Sequence, residues 1–327
     1  MTDMKEKRIM INSYSVKNGA KKWLIRIGLI LILFGLMYLF LFPIFYLIST
    51  AFQSEESLND PSVVWLPTSF SLNSFKQTMK LLNYKNSVIL TSEITVLSTA
   101  ATIATCSMAG YGLARYKFRG SGICFALVIL MIIIPPQATL LSSYLNFRFF
   151  DFFGIMRLFE SATGFGSVNL LDTIWTFVLP ACFANGLRAG LFIFIFRQFF
   201  LGMPKELEEA ARIDGCNAFT TFLRIMIPMA KSAIITVVLF SVVWHWNDYY
   251  SSSMYFVGDV QPITPMLSSL KTILIQEGMT VSHTLSQFDI RVYLASGSLL
   301  ALLPPLILYI FLQRLFTQSI EKTGIVG

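Results

Sequence analysis

The sequence predicts an all-α, polytopic membrane protein with six transmembrane helices. Three observations carry that prediction: an apolar composition, six long apolar blocks, and basic residues gathered in alternate connecting segments. Of the 327 residues, 55% are hydrophobic and 13% charged, against roughly 45–50% and 25% in soluble domains. Such a composition suits lipid as the main solvent, where only helices and closed barrels leave no backbone polar group unpaired. A barrel would show alternating segments of about ten residues, and that pattern is absent from the sequence.

The blocks cover residues 23–50, 86–114, 121–145, 173–200, 232–256 and 292–316. Each exceeds the about 20 apolar residues that a helix needs to cross a hydrocarbon core. The first is too long and uninterrupted for a cleaved signal peptide, and no small-residue cleavage site follows it. The expected organisation is an N-terminal segment 1–22, a six-helix domain 23–316 that includes a cytoplasmic loop 201–231, and a tail 317–327.

Basic residues set the direction. Lys5, Lys7, Arg8, Lys17, Lys21 and Lys22 precede the first block, and Arg115, Lys117 and Arg119 join the second to the third. Arg197, Lys205, Arg212, Arg224 and Lys231 surround the link between the fourth and fifth, and Arg314 and Lys322 mark the tail. The opposite links carry fewer: Lys76, Lys80 and Lys85, then Arg148 and Arg157, then Lys271 and Arg291. The positive-inside rule therefore puts both termini and the four–five link in the cytoplasm, with the chain in the cell membrane. This bias accounts for the net charge of +7. No recognition fold accompanies the basic residues, so nucleic acid is excluded as a partner and the lipid bilayer is the expected one.

Cys106, Cys124, Cys182 and Cys216 show no metal-ligand spacing, and the first three fall inside apolar blocks, where they read as small buried hydrophobes. The outer links 51–85 and 257–291 are polar enough to form small external structures. The link 146–172 is rich in Phe and Gly and reads either as an interfacial helix or as a plain connector.

The most informative segment is PKELEEAARIDGCNAFTTFLRIMIPM, residues 204–229. Pro204 stands where a first helical position would be, and Glu206, Glu208 and Glu209 crowd the first turn, which suits the helix dipole. Leu207, Ala210 and Ala211 form an apolar stripe, and Glu208 is spaced to pair with Arg212 across one turn. Gly215 closes this helix as a C′ glycine. A second helix follows, with Phe219, Phe222, Leu223 and Met226 on one face and Pro228 ending it.

Glu209-Ala210-Ala211, three residues, Gly215, nine residues, then Ile225-x-Ile227-Pro228 resembles the EAA motif of binding-protein-dependent ABC importers. Ile227 stands where Leu is usual. RQFF at 197–200, VVWHWNDYY at 242–250 and LQRLFTQSIEKTGIVG at 312–327 agree, and together they look like the MalG-type permease subunits of carbohydrate-uptake ABC importers. The resemblance covers nearly all the chain after the first block. It implies a type I importer permease fold and a carbohydrate solute, an oligosaccharide foremost. It also implies that Glu209, Ala210, Ala211, Arg212, Asp214, Gly215 and Pro228 couple the membrane helices to a separate cytoplasmic ATPase dimer. Further implied partners are a second homologous permease subunit and an extracytoplasmic solute-binding protein, whose ligand cleft a loop from 257–291 would enter. The sequence holds no G-x-x-x-x-G-K-[ST] segment, so ATP and Mg belong to the ATPase and no cofactor is expected on this chain.

Along the expected path, Thr91, Thr95, Ser98, Thr102 and Thr105 share one face of the second block. Two readings stand open: tight helix packing through small residues, and a polar wall of the solute cavity. Pro135-Pro136 and Pro304-Pro305 are candidate bending points. Ionisable residues inside spans are expensive, and Glu93, Arg188 and Asp248 qualify. The run Trp244-His245-Trp246-Asn247-Asp248, with Trp246, Asn247 and Asp248 foremost, offers the ring faces and hydrogen-bonding groups that sugars need; the alternative is interfacial aromatics and an internal ion pair. Counting residues from the block ends places Glu93 nearer than Asp248 to Arg188 in depth, which weakly favours a Glu93–Arg188 pair. No H-E-x-x-H, G-x-S-x-G or paired catalytic carboxylates suggest an enzyme, and no filter-like segment suggests a channel.

Overall fold

The computed structural model describes residues 2–54, 69–152, 166–280 and 287–324. In chain order the helices are α1 (Thr2–Ala51), α2 (Asn73–Leu81), α3 (Tyr84–Arg115), α4 (Ser121–Ile133), α5 (Pro136–Arg148), α6 (Trp175–Cys182) and α7 (Ala189–Leu201). They continue with α8 (Glu206–Ile213), α9 (Ala218–Met229), α10 (Lys231–Trp246), α11 (Tyr250–Tyr255), α12 (Ile263–Thr280) and α13 (Gln287–Gly324). Among the described residues the only extended pairings are two isolated bridges, Gln53 with Phe70 and Phe150 with Val168. The interfacial helix considered for 146–172 falls largely on 153–165, outside the described residues.

Three stretches are long and apolar enough to span as single helices: Ile25–Ala51, Tyr84–Arg115 and Ile290–Phe311. The helical, membrane-spanning class stands, while length and composition among the described residues do not by themselves reach the count of six. The third block turns by 101° between α4 and α5. Proline chemistry explains the turn: Ile134, ahead of Pro135, is extended at ψ 120°, and Pro136 opens α5 at a position where its missing N–H costs nothing. The fourth block is α6 and α7 with a non-helical break between them, where Ala184 (φ 54°) and Arg188 (φ 59°) take the left-handed conformation. The fifth is α10 and α11 separated at 247–249. Two bent pairs, α4 with α5 and α9 with α10, are apolar enough to count as one span each, which raises the total among the described residues from three to at most five.

The second proline pair behaves differently. Pro304 and Pro305 lie inside the unbroken α13. Lacking N–H groups, they leave the carbonyls of Leu300 and Ala301 without their helical donors. Tyr84 Oη donates to the first at 2.9 Å and Trp246 Nε1 to the second at 3.0 Å. Neighbouring side chains thus restore the two missing bonds, and the helix continues.

The contacts divide the chain into two units, Met1–Ser74 with Gln287–Ser296, and Phe75–Ser286 with Gly297–Gly327. In the first, apolar side chains of α1 from Ile25 to Ile48 face outward, as on a helix in lipid or against another chain. Ser296 Oγ donates to Ala51 O at 3.2 Å. The Ser54 and Ser69 hydroxyls hydrogen-bond to each other.

In the second unit, α3 and α7 pack closest. A Cβ on Gly110 would lie 2.7 Å from Phe196 Cβ and 2.9 Å from Arg197 N, so only glycine allows this approach. Around it Cys106, Tyr111, Phe192, Phe196 and Phe200 form one buried cluster with Phe222, Met226 and Val237. A second cluster joins Ile94, Phe147, Leu171, Phe177, Tyr255 and Phe256. Cys106 is buried as expected, whereas Cys124 and Cys182 are exposed, a correction to their reading as buried hydrophobes.

The hydroxyl face of α3 is buried: Thr91, Thr95, Ser98 and Thr102 are at most 3% exposed. Thr91 accepts from Ile263 N at 2.9 Å, Thr99 bonds Ser241 at 2.8 Å, and Thr105 donates to Ala181 O at 2.8 Å. The hydroxyls of Thr95, Ser98 and Thr102 have no hydrogen-bond partner among the described residues, and both readings of this face stand. The outer link 257–291 is mostly α12, which buries Ile263, Met266, Leu270 and Leu274 along one stripe. Residues 281–286 of that link lie outside the described residues.

Candidate functional site

The cytoplasmic segment is built as a helix, a tight turn and a second helix. α8 opens with Glu208 N and Glu209 N donating to Lys205 O, so Pro204 precedes the helix and does not occupy its first position. At the other end Gly215, φ 81°, donates to Arg212 O at 3.0 Å, and Cys216 N reaches back to Ala211 O at 2.9 Å. That pair of bonds is the Schellman motif, and it needs the left-handed glycine the sequence supplies. Asn217 then caps α9, accepting from Thr220 N at 2.8 Å. The chain passes through a π turn at Phe222–Met226, holds Pro228 within the helix, and bends 76° into α10.

Faces follow from this geometry. Ala211 points inward, 2% exposed, while Glu209, Ala210, Arg212, Asp214 and Gly215 are exposed. Ile213 is 86% exposed and Phe219 59%, leaving apolar groups on the outer face. Phe222 and Met226 are the buried pair of α9; Phe219 and Leu223 face outward, which corrects the expected stripe. Phe222 packs on Tyr111 with ring centres 5.1 Å apart, and Tyr111 packs on Phe200 at 5.4 Å.

The expected Glu208–Arg212 pair is replaced by a longer-range one. Arg115, the last residue of α3, holds Glu208 at 3.2 Å and donates to Met203 O at 2.7 Å. Both side chains are largely buried, 5% and 12% exposed. α8 is thereby fixed to the end of α3. Local spacing held no sign of this contact; the cluster of basic residues after the second block was the one available signal.

The second feature is a cavity of about 790 Å³, within the range of small-molecule sites. It opens among the helix breaks, with Ser143, Asn146, Thr176, Asn185 and Arg188 supplying polar groups and Phe177 and Trp244 rings. A smaller space of about 200 Å³ adjoins it and shares Arg188 and Trp244, adding Asn247 and Asp248. Arg188 and Asp248 therefore meet the same space. Glu93 is exposed on α3 and lines neither, and Thr95 and Ser98 are buried away from both.

Arg188 rests its guanidinium 5.6 Å from the Trp244 ring centre. The expected Glu93–Arg188 pair does not form. Asp248 is engaged locally, accepting from Ser252 N at 2.8 Å, Ser252 Oγ at 3.1 Å and Ser251 Oγ at 3.2 Å. Trp246, expected among the solute contacts, is 6% exposed and spends its indole N–H on Ala301 O. Trp244, part of the aromatic run singled out in the sequence, does line the cavity; Asn146 and Asn185 were missed, because nothing in their local sequence marks a helix break as a cavity wall. The described residues contain no group of three or more His, Cys, Asp or Glu placed to hold a metal ion.

Comparisons with known proteins agree with this architecture. The chain is 30% identical over 314 residues to the arabinooligosaccharides transport system permease protein AraQ of Bacillus subtilis strain 168, covering 92% of this chain and 96% of that protein. It is 25% identical over 314 residues to the polygalacturonan/rhamnogalacturonan transport system permease protein YtcP of the same organism, covering 91% and 98%. A chain from the crystal structure of a bacterial ABC transporter involved in the import of the acidic polysaccharide alginate shares the fold. The TM-score is 0.68 at 20% identity, over 89% of this chain and 95% of that one. The family model of the binding-protein-dependent transport system inner membrane component matches residues 101–322, and the chain belongs to that family.

Proposed function

We propose that this chain is one half of a heterodimeric permease that imports a carbohydrate, an oligosaccharide foremost, and that it couples to a separate ATPase through residues 201–231. The observation that carries the reading is the α8–Gly215–α9 turn. It offers Glu209, Ala210, Arg212 and Asp214 outward, with Ile213 exposed beside them, while Arg115 and Phe222 tie the same segment to α3 and α7. A push on the outer face is thereby passed into α3 and into α7, whose first residues, Ala189 to Leu191, line the cavity. Pro228 lies at the bend into α10, where such a push would be redirected.

In this reading both termini and the 201–231 loop are cytoplasmic; the domain runs from 23 to 316, with 1–22 and 317–327 as flanking segments. The ATPase dimer binds ATP and Mg. A second homologous permease completes the path, and an extracytoplasmic binding protein delivers the solute to the face that carries link 257–291. The helix breaks at Pro135-Pro136, 183–188 and 247–249 are the flexing points for alternating access. Relatives' names cover arabinooligosaccharides and the acidic polygalacturonan, so the names favour a saccharide without fixing its charge.

The test is reconstitution in vesicles with the partner permease, the ATPase and the binding protein. ATP hydrolysis stimulated by liganded binding protein, with oligosaccharide uptake, is expected. A Cβ on Gly215 meets nothing within 4 Å, so Gly215→Trp burdens only an exposed left-handed turn. That variant should reach the membrane and lose coupled uptake. Normal uptake by well-expressed Gly215→Trp would refute the coupling role.

A further inference from the structure

Arg188 is a full charge on a cavity wall. Among the described residues no carboxylate lies within ion-pair distance, and its guanidinium rests on the Trp244 ring. Asp248, which meets the same space, accepts hydrogen bonds from Ser251 and Ser252 and forms no ion pair with Arg188. Arg188 is exposed on that wall and keeps its charge at any pH the protein meets. A cation there calls for an anion or water.

The backbone adds a second observation. Arg188 adopts φ 59°, a conformation uncommon for a side-chain-bearing residue, and Ala184 at φ 54° shares it within the same break. Such strain persists where the surrounding structure imposes it, and it gathers at ligand sites. Trp244, the ring a neutral sugar would stack on, already lies flat on Phe240 (5.3 Å, 17°) and carries the guanidinium. What the wall still offers is the donor fork of Arg188, with Ser143, Asn146, Thr176 and Asn185 spaced around the cavity for hydroxyl groups.

We propose that Arg188 is the carboxylate-binding residue of a solute subsite in this chain, and that the solute is an oligosaccharide bearing uronic-acid groups. The proposal rests on the carbohydrate reading above and adds the charge. A planar guanidinium meets a carboxylate with two parallel hydrogen bonds, and a neutral or esterified sugar offers no equivalent.

The test uses the complex of this chain with its partner permease and ATPase in lipid nanodiscs, without the binding protein, so that delivery does not mask the site. Calorimetry compares trigalacturonate, its methyl ester and arabinotriose. The acid should bind at least roughly tenfold more tightly than its ester, with a difference that shrinks as salt is raised. Arg188→Gln should abolish the difference and Arg188→Lys keep part of it. Equal affinity for acid and ester overturns the proposal while leaving the carbohydrate reading intact, and so does a preference that survives Arg188→Gln. Binding of none of the three overturns both. If Arg188→Gln breaks up the complex, the acid–ester comparison on the native complex decides. Equal affinity there assigns Arg188 to a carboxylate of the partner permease, and a preference for the acid upholds the subsite.

Discussion

The proline pair in α13 allows a sharp test, because the structure names the donors that replace its two missing hydrogen bonds. Trp246→Phe removes the N–H that reaches Ala301 O at 3.0 Å and leaves that carbonyl without a partner. An orphaned buried polar group costs about 1–3 kcal/mol. Shrinking an indole that is 6% exposed also loses packing, but a double-mutant cycle removes that contribution. Pro305→Ala returns an N–H at the position that serves Ala301 O within the helix. In that background Trp246→Phe should therefore cost less, by about 1–2 kcal/mol. The assay is equilibrium unfolding in mixed micelles followed by circular dichroism for the four variants. Equal cost in both backgrounds would refute the argument. Unchanged stability with reduced uptake would do so as well, and would return Trp246 to the solute path.

Other outcomes are expected elsewhere. Arg115→Ala leaves the Glu208 carboxylate buried without its cation and should destabilise the chain by about 3–5 kcal/mol. The exchange Arg115→Glu with Glu208→Arg should recover part of this in denaturation midpoints; an exchange as damaged as the single variant removes the ion-pair argument. Asp172 accepts from Val257 N at 2.7 Å and Gly258 N at 2.9 Å, and so fixes the start of the outer link. Asp172→Ala should speed hydrogen exchange at those amides by roughly tenfold or more, while Asp172→Asn, which keeps an acceptor and tolerates the left-handed φ of 60°, should change it less. Identical exchange in all three proteins would sink the assignment.

Much of the fold was legible because it depends on local composition. The first, second and last blocks become α1, α3 and α13, with their spanning stretches ending within a few residues of the expected limits. The glycine at 215 was legible for the same reason: a helix end needs a left-handed residue, and the sequence supplies one. The breaks in the fourth and fifth blocks were not legible. Hydropathy averages over a window and reads the same whether the backbone inside it is helical or not. The depth argument for Glu93 failed on that point. It took a rise of about 1.5 Å per residue along unbroken helices, whereas the path to Arg188 runs through the break at 183–188 and the path to Asp248 ends in the break at 247–249.

The two proline pairs show why no local rule could have repaired this. Pro135-Pro136 and Pro304-Pro305 are the same dipeptide after an apolar helical stretch, the first followed by Gln137-Ala138-Thr139 and the second by Leu306-Ile307-Leu308, and the chain turns by 101° at one and stays helical at the other. A proline removes a donor wherever it stands, and the helix survives only if another element brings a donor back. Tyr84 lies 216 residues from Leu300 in sequence, and Trp246 lies 55 from Ala301. The break at 135–136 in turn lets Pro136 and Leu140 reach the walls that Arg188 shares. Where the helices break, and hence where a cavity with polar walls can exist in an apolar protein, is set by side chains far along the chain. A sequence scan sees those side chains only as ordinary members of other helices.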